Sequence, residues 1–288
     1  MVRAAQKSGR VVQVGSQARS AEPAWQACTY LRNGVLGRVS KVTCWHTLNP
    51  TGGGGPAPVP DGLDWDLWLG PLRWRPYERG YLPGTFRWLM ESGGGVIRDR
   101  GAHVMSIVLW CLDADRQTPV LVEATGTPPN RGLWDCPPVM KVVYTFKDPD
   151  WQLIWEQPGD VRGSGGFGMV FHGERDTLVV CRDGTRIPAE KKAREFKVPA
   201  GGVEVYRMAR HADYNMNHKE DWFQAIRTGR KPCMDIETGH RVATMNNLGN
   251  LSYLLGRKLP WDARREEVPG DEHANRMLSR PQRHPYHL

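Results

Sequence analysis

A glycine-rich run that ends in an acid and an imidazole has the residue types most suited to chemistry. It extends from Gly93-Gly94-Gly95 to His103, and an apolar helix is predicted to begin near Gly101. Three glycines allow the backbone to approach a ligand closely. Asp99 and His103 are four residues apart, so both can face one space, where the imidazole could take a proton from a hydroxyl group. On spacing alone, Asp99 could instead cap the helix and His103 could pack in the core.

Two further polar groups stand beside predicted elements. The loop Gly15-Ser16-Gln17-Ala18-Arg19 follows a predicted buried strand. In open α/β sheets, ligands bind outside the carboxyl ends of strands, so Gln17 and Arg19 are candidates for such a crevice, although an ordinary polar loop fits as well. His218, before a late helix, could reach a pocket, and exposure in the first turn of that helix is an equal alternative.

Tryptophan is abundant, with 12 residues, and several of them lie in polar loops such as 64–68 and 73–75. Exposed tryptophan often lines surfaces that bind carbohydrate or other rings, whereas packing beneath long loops accounts for most such residues. We therefore take Trp65 and Arg75, together with His218, as candidate substrate-binding residues.

Several kinds of site are excluded by missing motifs. The chain has no G-x-G-x-x-G opening a βαβ unit, no G-x-x-x-x-G-K-[ST] and no G-x-S-x-G. The glycines at 163–166 precede a strand and only weakly suggest a phosphate loop. The six cysteines are scattered without a C-x-x-C pair, which argues against a disulfide scaffold and a zinc site. We expect no metal.

Composition indicates a globular protein and argues against membrane and nucleic-acid partners. Of 288 residues, 40% are hydrophobic and 24% charged, and the mean hydropathy is −0.54. No apolar run approaches the roughly 20 residues of a spanning helix, so no membrane partner is expected. The net charge is +8, but the basic residues are dispersed along the chain. That pattern indicates solvated surface, and no nucleic-acid partner is expected.

The first residues predict an isolated helix–strand unit. Residues 1–7 favour a helix that Gly9 ends, and residues 10–15 favour a buried strand with Val11, Val12 and Val14 inside. Such a unit cannot form a domain, because its strand needs parallel neighbours. It therefore resembles the last unit of a parallel sheet whose earlier part is missing.

The rest of the chain predicts a mixed α/β (α+β) fold with an open, mostly antiparallel sheet and flanking helices. Two late helices are predicted, the first capped by Asn217 and ended by Gly229, the second ending at Gly256. We expect one sheet face to stay uncovered and partly apolar, as at Val139, Val143 and Trp155, and to pair with a second copy. Helix is predicted at 21–33, strands at 38–48, 120–127, 139–146, 151–156, 169–172 and 178–181, and loops at 49–92.

Several segments together resemble the Gfo/Idh/MocA oxidoreductases, in particular a Trp-rich, sugar-active branch. The likeness covers nearly the whole chain, and the loop Asp64-Trp65-Asp66-Leu67-Trp68-Leu69-Gly70-Pro71 and the glycine–Asp–His run are its most specific parts. The resembling segments are 1–19, 34–38, 62–71, 93–103, 217–223 and 278–281.

This resemblance implies a domain division and roles for residues. Proteins of this kind join an N-terminal Rossmann domain, which binds NAD(P), to a C-terminal α/β domain. Residues 1–16 would be a Rossmann remnant and 17–288 the substrate and oligomerisation domain. The glycine fingerprint and the Glu-Lys-Pro motif, whose lysine assists proton transfer, are missing. His103 would transfer the proton beside Asp99, and Gln17 and Arg19 would face the nicotinamide.

The chain departs from the pattern of this branch at three positions. Val104 stands where a second histidine is common, Ser106 where aspartate is common, and Arg100 where tryptophan is frequent. We expect an NAD(P)-dependent oxidoreductase acting on a sugar or polyol hydroxyl, or cleaving glycosides by transient oxidation. The chain as given should bind NAD(P) poorly or not at all, form a homo-oligomer and be cytoplasmic, with any export signal in the missing part. The alternative is a cofactor-free carbohydrate-binding or oligomerisation module.

Overall fold

A seven-stranded sheet forms the centre of the protein in a computed structural model, which describes residues 1–159, 166–181, 189–206 and 211–286. The order across the sheet is β6-β5-β1-β4-β3-β2-β7. Only β1 and β4 pair in parallel, and the other neighbours are antiparallel. The strands are β1 (Val39–Trp45), β2 (Leu121–Thr127), β3 (Val139–Phe146), β4 (Trp151–Gln157), β5 (Gly168–Gly173), β6 (Thr177–Cys181) and β7 (Leu259–Pro260).

Helices cover one face of this sheet, which confirms the predicted mixed α/β class. The helices at Glu22–Arg32, Gly101–Cys111 and Ile236–Leu255 pack together with the sheet. Short 3₁₀ helices in the described ranges lie at Gln17–Ser20, Arg79–Tyr81 and Phe86–Trp88. The α-helices are α1 (Val2–Ser8), α2 (Glu22–Arg32), α3 (Trp65–Leu69), α4 (Gly95–Asp99), α5 (Gly101–Cys111), α6 (Lys191–Arg194), α7 (Tyr214–Thr228), α8 (Ile236–Leu255) and α9 (Glu272–Met277).

Buried and more exposed side chains alternate along the strands, which explains why the helices cover this face. On β3, the side chains of Met140, Val142, Tyr144 and Phe146 are buried, and those between them are more exposed. The Tyr144 hydroxyl donates to the carbonyl of Met245 on α8 (3.1 Å), which ties the sheet to the helix layer. The core therefore lies between this face and the helices.

The opposite face stays partly apolar. Val139 is 41% exposed, and Val143 and Ile154 are half-buried neighbours in register. Trp155 does not belong to this face, contrary to the sequence prediction. It pairs in register with Cys44 and Val142, which are both buried, so the pleat turns its ring into the core.

The first residues form only part of the predicted unit. Helix α1 is present and ends at Gly9, whose φ of 63° is left-handed. Residues 10–15 do not form the predicted buried strand. They make a single bridge, between Gln13 and Asp235, and Val11, Val12 and Val14 are only half-buried. A strand needs a continuous partner, and the described residues offer none beside this segment.

The first of the two late helices begins about one turn before its predicted cap, Asn217. Asp213 caps α7 by accepting from the Asn215 amide (2.9 Å), so Asn217 lies inside the helix and is buried. Gly229 and Gly256 end α7 and α8 with left-handed φ angles, as predicted. Among the helices of the described ranges, none combines the length and the hydropathy needed to cross a membrane.

Candidate functional site

The corner between α4 and α5 positions Asp99 and His103. Helix α4 ends at Asp99, Arg100 is the joint, and α5 begins at Gly101. Two distant amides fix the start of this corner. Asn49 accepts from the Val96 amide (2.7 Å), and Asn250 donates to the Gly94 carbonyl (2.8 Å). No sequence motif pointed to these two asparagines, because their role depends on contacts between residues far apart in the chain.

The three glycines allow close packing within the protein itself. A Cβ atom at Gly93 would lie 2.2 Å from Arg87 Cα, and one at Gly95 would lie 2.9 Å from Asn49 Nδ2. Gly94 and Gly95 also have left-handed φ angles of 74° and 77°. The close approach that the sequence suggested for a ligand is thus made to the chain's own backbone and side chains.

Asp99 is held by two arginines. Its carboxylate lies 3.1 Å from Arg87 Nε and 3.3 Å from Arg100 Nε. Asp99 is the last residue of α4, and Arg100 occupies the N-cap position of α5, so the structure gives the simple helix-cap alternative no support. His103 lies in the first turn of α5 and is partly exposed, so it is not a residue of the packed core.

The loop around Gln17 lies against the same turn of α5. The Ser16 hydroxyl donates to the carbonyl of Ala102 (3.2 Å), the residue before His103. Gln17 follows Ser16 and is half-buried. The structure therefore brings the loop predicted to face the nicotinamide to the helix turn that carries His103.

Arg19, in contrast, points into the interior. It is 1% exposed, and its guanidinium donates to the carbonyls of Cys233 (2.6 Å) and Ser106 (2.9 Å) and pairs with Asp115. These contacts tie the loop to α5 and to the segment before α8. They use the donors that would contact a cofactor, so the geometry gives the predicted cofactor role of Arg19 no support.

His218 is also enclosed. Its Nδ1 lies 2.8 Å from Ser20 Oγ and its Nε2 lies 2.9 Å from the Val14 carbonyl. Burial lowers the pKa of His218, which favours the neutral ring. Because a carbonyl only accepts, Nε2 donates, and Nδ1 then accepts from the serine. Both nitrogens are thus used inside the protein, which leaves its predicted substrate role without support.

The sequence did not point to Asp221, a buried acid three residues after His218 in α7. One Asp221 oxygen accepts from Arg230 (2.6 Å) and the other from the Cys233 amide (2.7 Å). Its side chain is fully buried. The only sequence signal was an acid in an otherwise amphipathic helix, which is ordinarily solvent-facing. Asp221 fixes the segment that receives Arg19.

Trp65 and Arg75 belong to a separate small core. The Trp65 indole is buried, donates to the Arg75 carbonyl (2.8 Å) and meets the rings of Tyr77 and Tyr81 edge-on. The Arg75 guanidinium contacts Tyr81 and pairs with Glu91. The structure therefore brings Asp99, His103 and Gln17 to one corner and places Trp65 and Arg75 elsewhere. The ring of His218 lies against Val14 and Ser20, which flank Gln17 in its loop. Within the described ranges, no cluster of histidine, cysteine and acidic residues could hold a metal.

Comparisons with known proteins agree with this architecture. The model of one family, described as "Oxidoreductase family, C-terminal alpha/beta domain", matches residues 39–159 and 188–288. No curated protein matches the sequence.

Solved structures share the fold at low identity. One is a putative myo-inositol dehydrogenase from Sinorhizobium meliloti 1021, with 15% identity over 90% of this chain and 68% of that chain (TM-score 0.56). Another is the aldose-aldose oxidoreductase from Caulobacter crescentus complexed with glycerol, with 15% identity over 90% and 66% (TM-score 0.54). A third is levoglucosan dehydrogenase in complex with NADH and L-sorbose, with 15% identity over 89% and 67% (TM-score 0.58). The chain spans about two thirds of the length of each.

Proposed function

Because this chain belongs to the Gfo/Idh/MocA oxidoreductase family, we propose that it supplies the substrate side of an NAD(P)-dependent oxidoreductase acting on a hydroxyl group of a sugar or polyol. The observation that carries the proposal is the corner of α4 and α5, where a partly exposed His103 follows an ion-paired Asp99. The ligands named for related structures, glycerol and L-sorbose among them, support this class of substrate.

His103 acts as the base in this proposal. Its imidazole takes the proton of the substrate hydroxyl. The carbon atom that bears this hydroxyl loses a hydride and becomes a carbonyl carbon. Asp99 is a positioning residue. Its carboxylate, held by Arg87 and Arg100, keeps negative charge near the turn where the imidazolium forms. The nicotinamide, when bound, accepts the hydride.

The described residues of this chain do not by themselves fit a dinucleotide. The pyrophosphate of such a cofactor is ordinarily held at a helix N-terminus after a parallel strand, and residues 10–15 form no strand here. The Arg19 donors are used internally, which leaves Gln17 as the candidate contact. We propose that a Rossmann domain, of which residues 1–16 are the last unit, holds the cofactor against residues 17–288.

The second candidate function is a cofactor-free module that binds carbohydrate or assembles through the open sheet face. The apolar face around Val139 favours assembly. The two candidates differ in one measurement. The chain joined to a dinucleotide-binding domain should reduce NAD⁺ or NADP⁺ in the presence of a sugar or polyol, followed by the absorbance of the reduced nicotinamide. Sugar binding without such reduction over a panel of sugars and polyols would support the module.

The chain alone should bind NAD(H) weakly or not at all, because its described residues form no helix N-terminus after a parallel strand at 10–15 that could hold the pyrophosphate. Titration calorimetry with NADH checks this expectation. A saturable, tight isotherm would contradict it and would require a dinucleotide site within the residues of this chain.

A further inference from the structure

A cavity of about 690 Å³ lies between α8 and the segment that follows α9. Its lining includes Thr244, Asn247 and Asn250 on α8, and the C-terminal residues 276–281 close the other side. His103 is not part of the lining, and neither is Gln17. The cavity is therefore separate from the corner that carries the proposed chemistry.

Two arginines enter this cavity without a carboxylate partner. The Arg98 guanidinium makes one long contact, to the Ser92 carbonyl (3.5 Å). Arg280 donates to the carbonyls of Met90 (3.0 Å) and Glu91. Among the residues that the structure describes, no acid forms an ion pair with either arginine.

The acids around the cavity contact side chains other than Arg98 and Arg280. Glu91 pairs with Arg75, and Glu266 is hydrogen-bonded to the imidazole of His240. Arg276 is the third arginine of the lining, and its Nη1 lies 3.7 Å from Glu272 Oε2. The cavity therefore keeps two guanidinium charges that its own acids do not neutralise.

The pKa of Arg98 is lowered by this arrangement. Burial is the main cause that lowers the pKa of Arg98, and the positive charge of Arg280 lowers it further. Bringing two like charges together in a partly desolvated site costs free energy. An anion placed between them would remove that cost, and the planar guanidinium fork matches the geometry of carboxylate and phosphate oxygens.

A buried amide adds a second polar feature. Asn250 is 6% exposed and lines the cavity, and its Nδ2 donates to the Gly94 carbonyl (2.8 Å). Its Oδ1 is buried and has no hydrogen-bond partner in the described residues. Buried acceptors without a donor are uncommon and costly. This oxygen has almost no accessible surface, so a ligand in the cavity does not reach it. The accessible polar side chains that α8 contributes to the lining include those of Thr244 and Asn247.

We propose that the cavity binds a small hydroxylated oxyanion, whose carboxylate or phosphate oxygens contact Arg98 and Arg280 and whose hydroxyl group contacts the polar side chains of Thr244 and Asn247. A hydroxycarboxylate and a sugar phosphate share this chemistry. The site does not depend on the oxidoreductase activity, because none of its contacts involves Asp99, His103 or Gln17.

Titration calorimetry on the full chain tests the proposal, with gluconate, glucose 6-phosphate, inorganic phosphate and neutral glucose as probes at constant ionic strength. We expect saturable binding of gluconate or glucose 6-phosphate, weaker binding of phosphate and none of glucose. The stronger of the first two identifies the anionic group. Arg98→Gln and Arg280→Gln should each weaken binding about tenfold to a hundredfold, the range expected for a charged hydrogen bond.

Arg283→Gln is the matched control, because Arg283 also anchors the C-terminal segment, through the Gly70 carbonyl (2.9 Å), but lies outside the cavity. It should leave the affinity unchanged. Arg98→Lys, which retains the charge, provides a second variant if Arg98→Gln fails to fold. The proposal is overturned if no anion binds saturably, if neutral glucose binds as well as gluconate and glucose 6-phosphate, or if binding survives both glutamine variants.

Discussion

At the scale of single residues, the same residue type has opposite roles in different parts of this protein. Arg19 is enclosed, and its two terminal nitrogens contact carbonyl and carboxylate oxygens inside the protein, whereas Arg98 and Arg280 have no acidic partner in the described residues and face a cavity. Chain position does not reveal this difference. What separates the two cases is whether a carboxylate from another segment pairs with the guanidinium group, as Asp115 does with Arg19.

Replacing Arg19 should therefore affect stability. Arg19→Lys retains the charge but loses the fork that reaches Cys233, Ser106 and Asp115, so we expect the free energy of unfolding to fall by about 1.5–3 kcal/mol. Urea unfolding measures this change. The exposed Arg10 gives a control, because Arg10→Lys should stay within about 0.5 kcal/mol. Unchanged stability combined with weaker cofactor affinity would restore the cofactor-facing role of Arg19.

At the scale of elements, the corner between α4 and α5 depends on the glycines before it. The chain passes so close to Arg87 that no side chain fits at Gly93. The two helices then meet at Arg100, with Asp99 on one and His103 on the other. Positioning of the candidate site is therefore a property of this turn rather than of one continuous helix.

A single methyl group at Gly93 should disturb the corner. Its Cβ would lie 2.2 Å from Arg87 Cα, which is backbone and cannot move away cheaply, so Gly93→Ala should destabilise the protein by about 1–3 kcal/mol or more. Gly15→Ala is the matched control, since nothing lies within 4 Å of its added Cβ. Thermal unfolding of both variants compares them. Equal effects would show that close packing is not the reason for the glycine.

Periodicity predicted the elements far better than the contacts between them. The alternating pattern of 139–146 and the glycines at 229 and 256 were sufficient to predict β3 and the ends of α7 and α8, because these signals are local. The sequence did not show that Trp155 faces the core or that Asn49 and Asn250 hold the glycine run. Those facts depend on strand register and on residues that are distant in sequence.

At the scale of the whole molecule, the sheet has two unequal faces. Helices cover one, whereas the other presents half-buried Val143 and Ile154 beside an exposed Val139. An apolar sheet face of this kind is typical of an interface. We propose that two copies pair through it, with the same surface on both subunits as a two-fold axis requires.

A charge on the open face should prevent this pairing. Ile154→Lys places an ammonium at the centre of the face, so we expect a dimer or larger assembly to become monomeric at micromolar concentration. Sedimentation or light scattering measures the mass. Val203→Lys, at a residue 45% exposed in a loop, should leave the assembly intact. A wild-type protein that is monomeric at micromolar concentration would contradict the proposed interface.

The proton-transfer role of His103 is the central claim, and kcat measured with melting temperature on one variant tests it most directly. In the chain joined to a dinucleotide-binding domain, His103→Ala should lower kcat by about 10²–10⁴-fold, the usual contribution of a positioned base, with little change in melting temperature because the residue is partly exposed. Asp99→Asn should lower kcat less, since Asp99 only supports the imidazole. A lower melting temperature for His103→Ala with normal kcat per folded molecule would contradict the assignment.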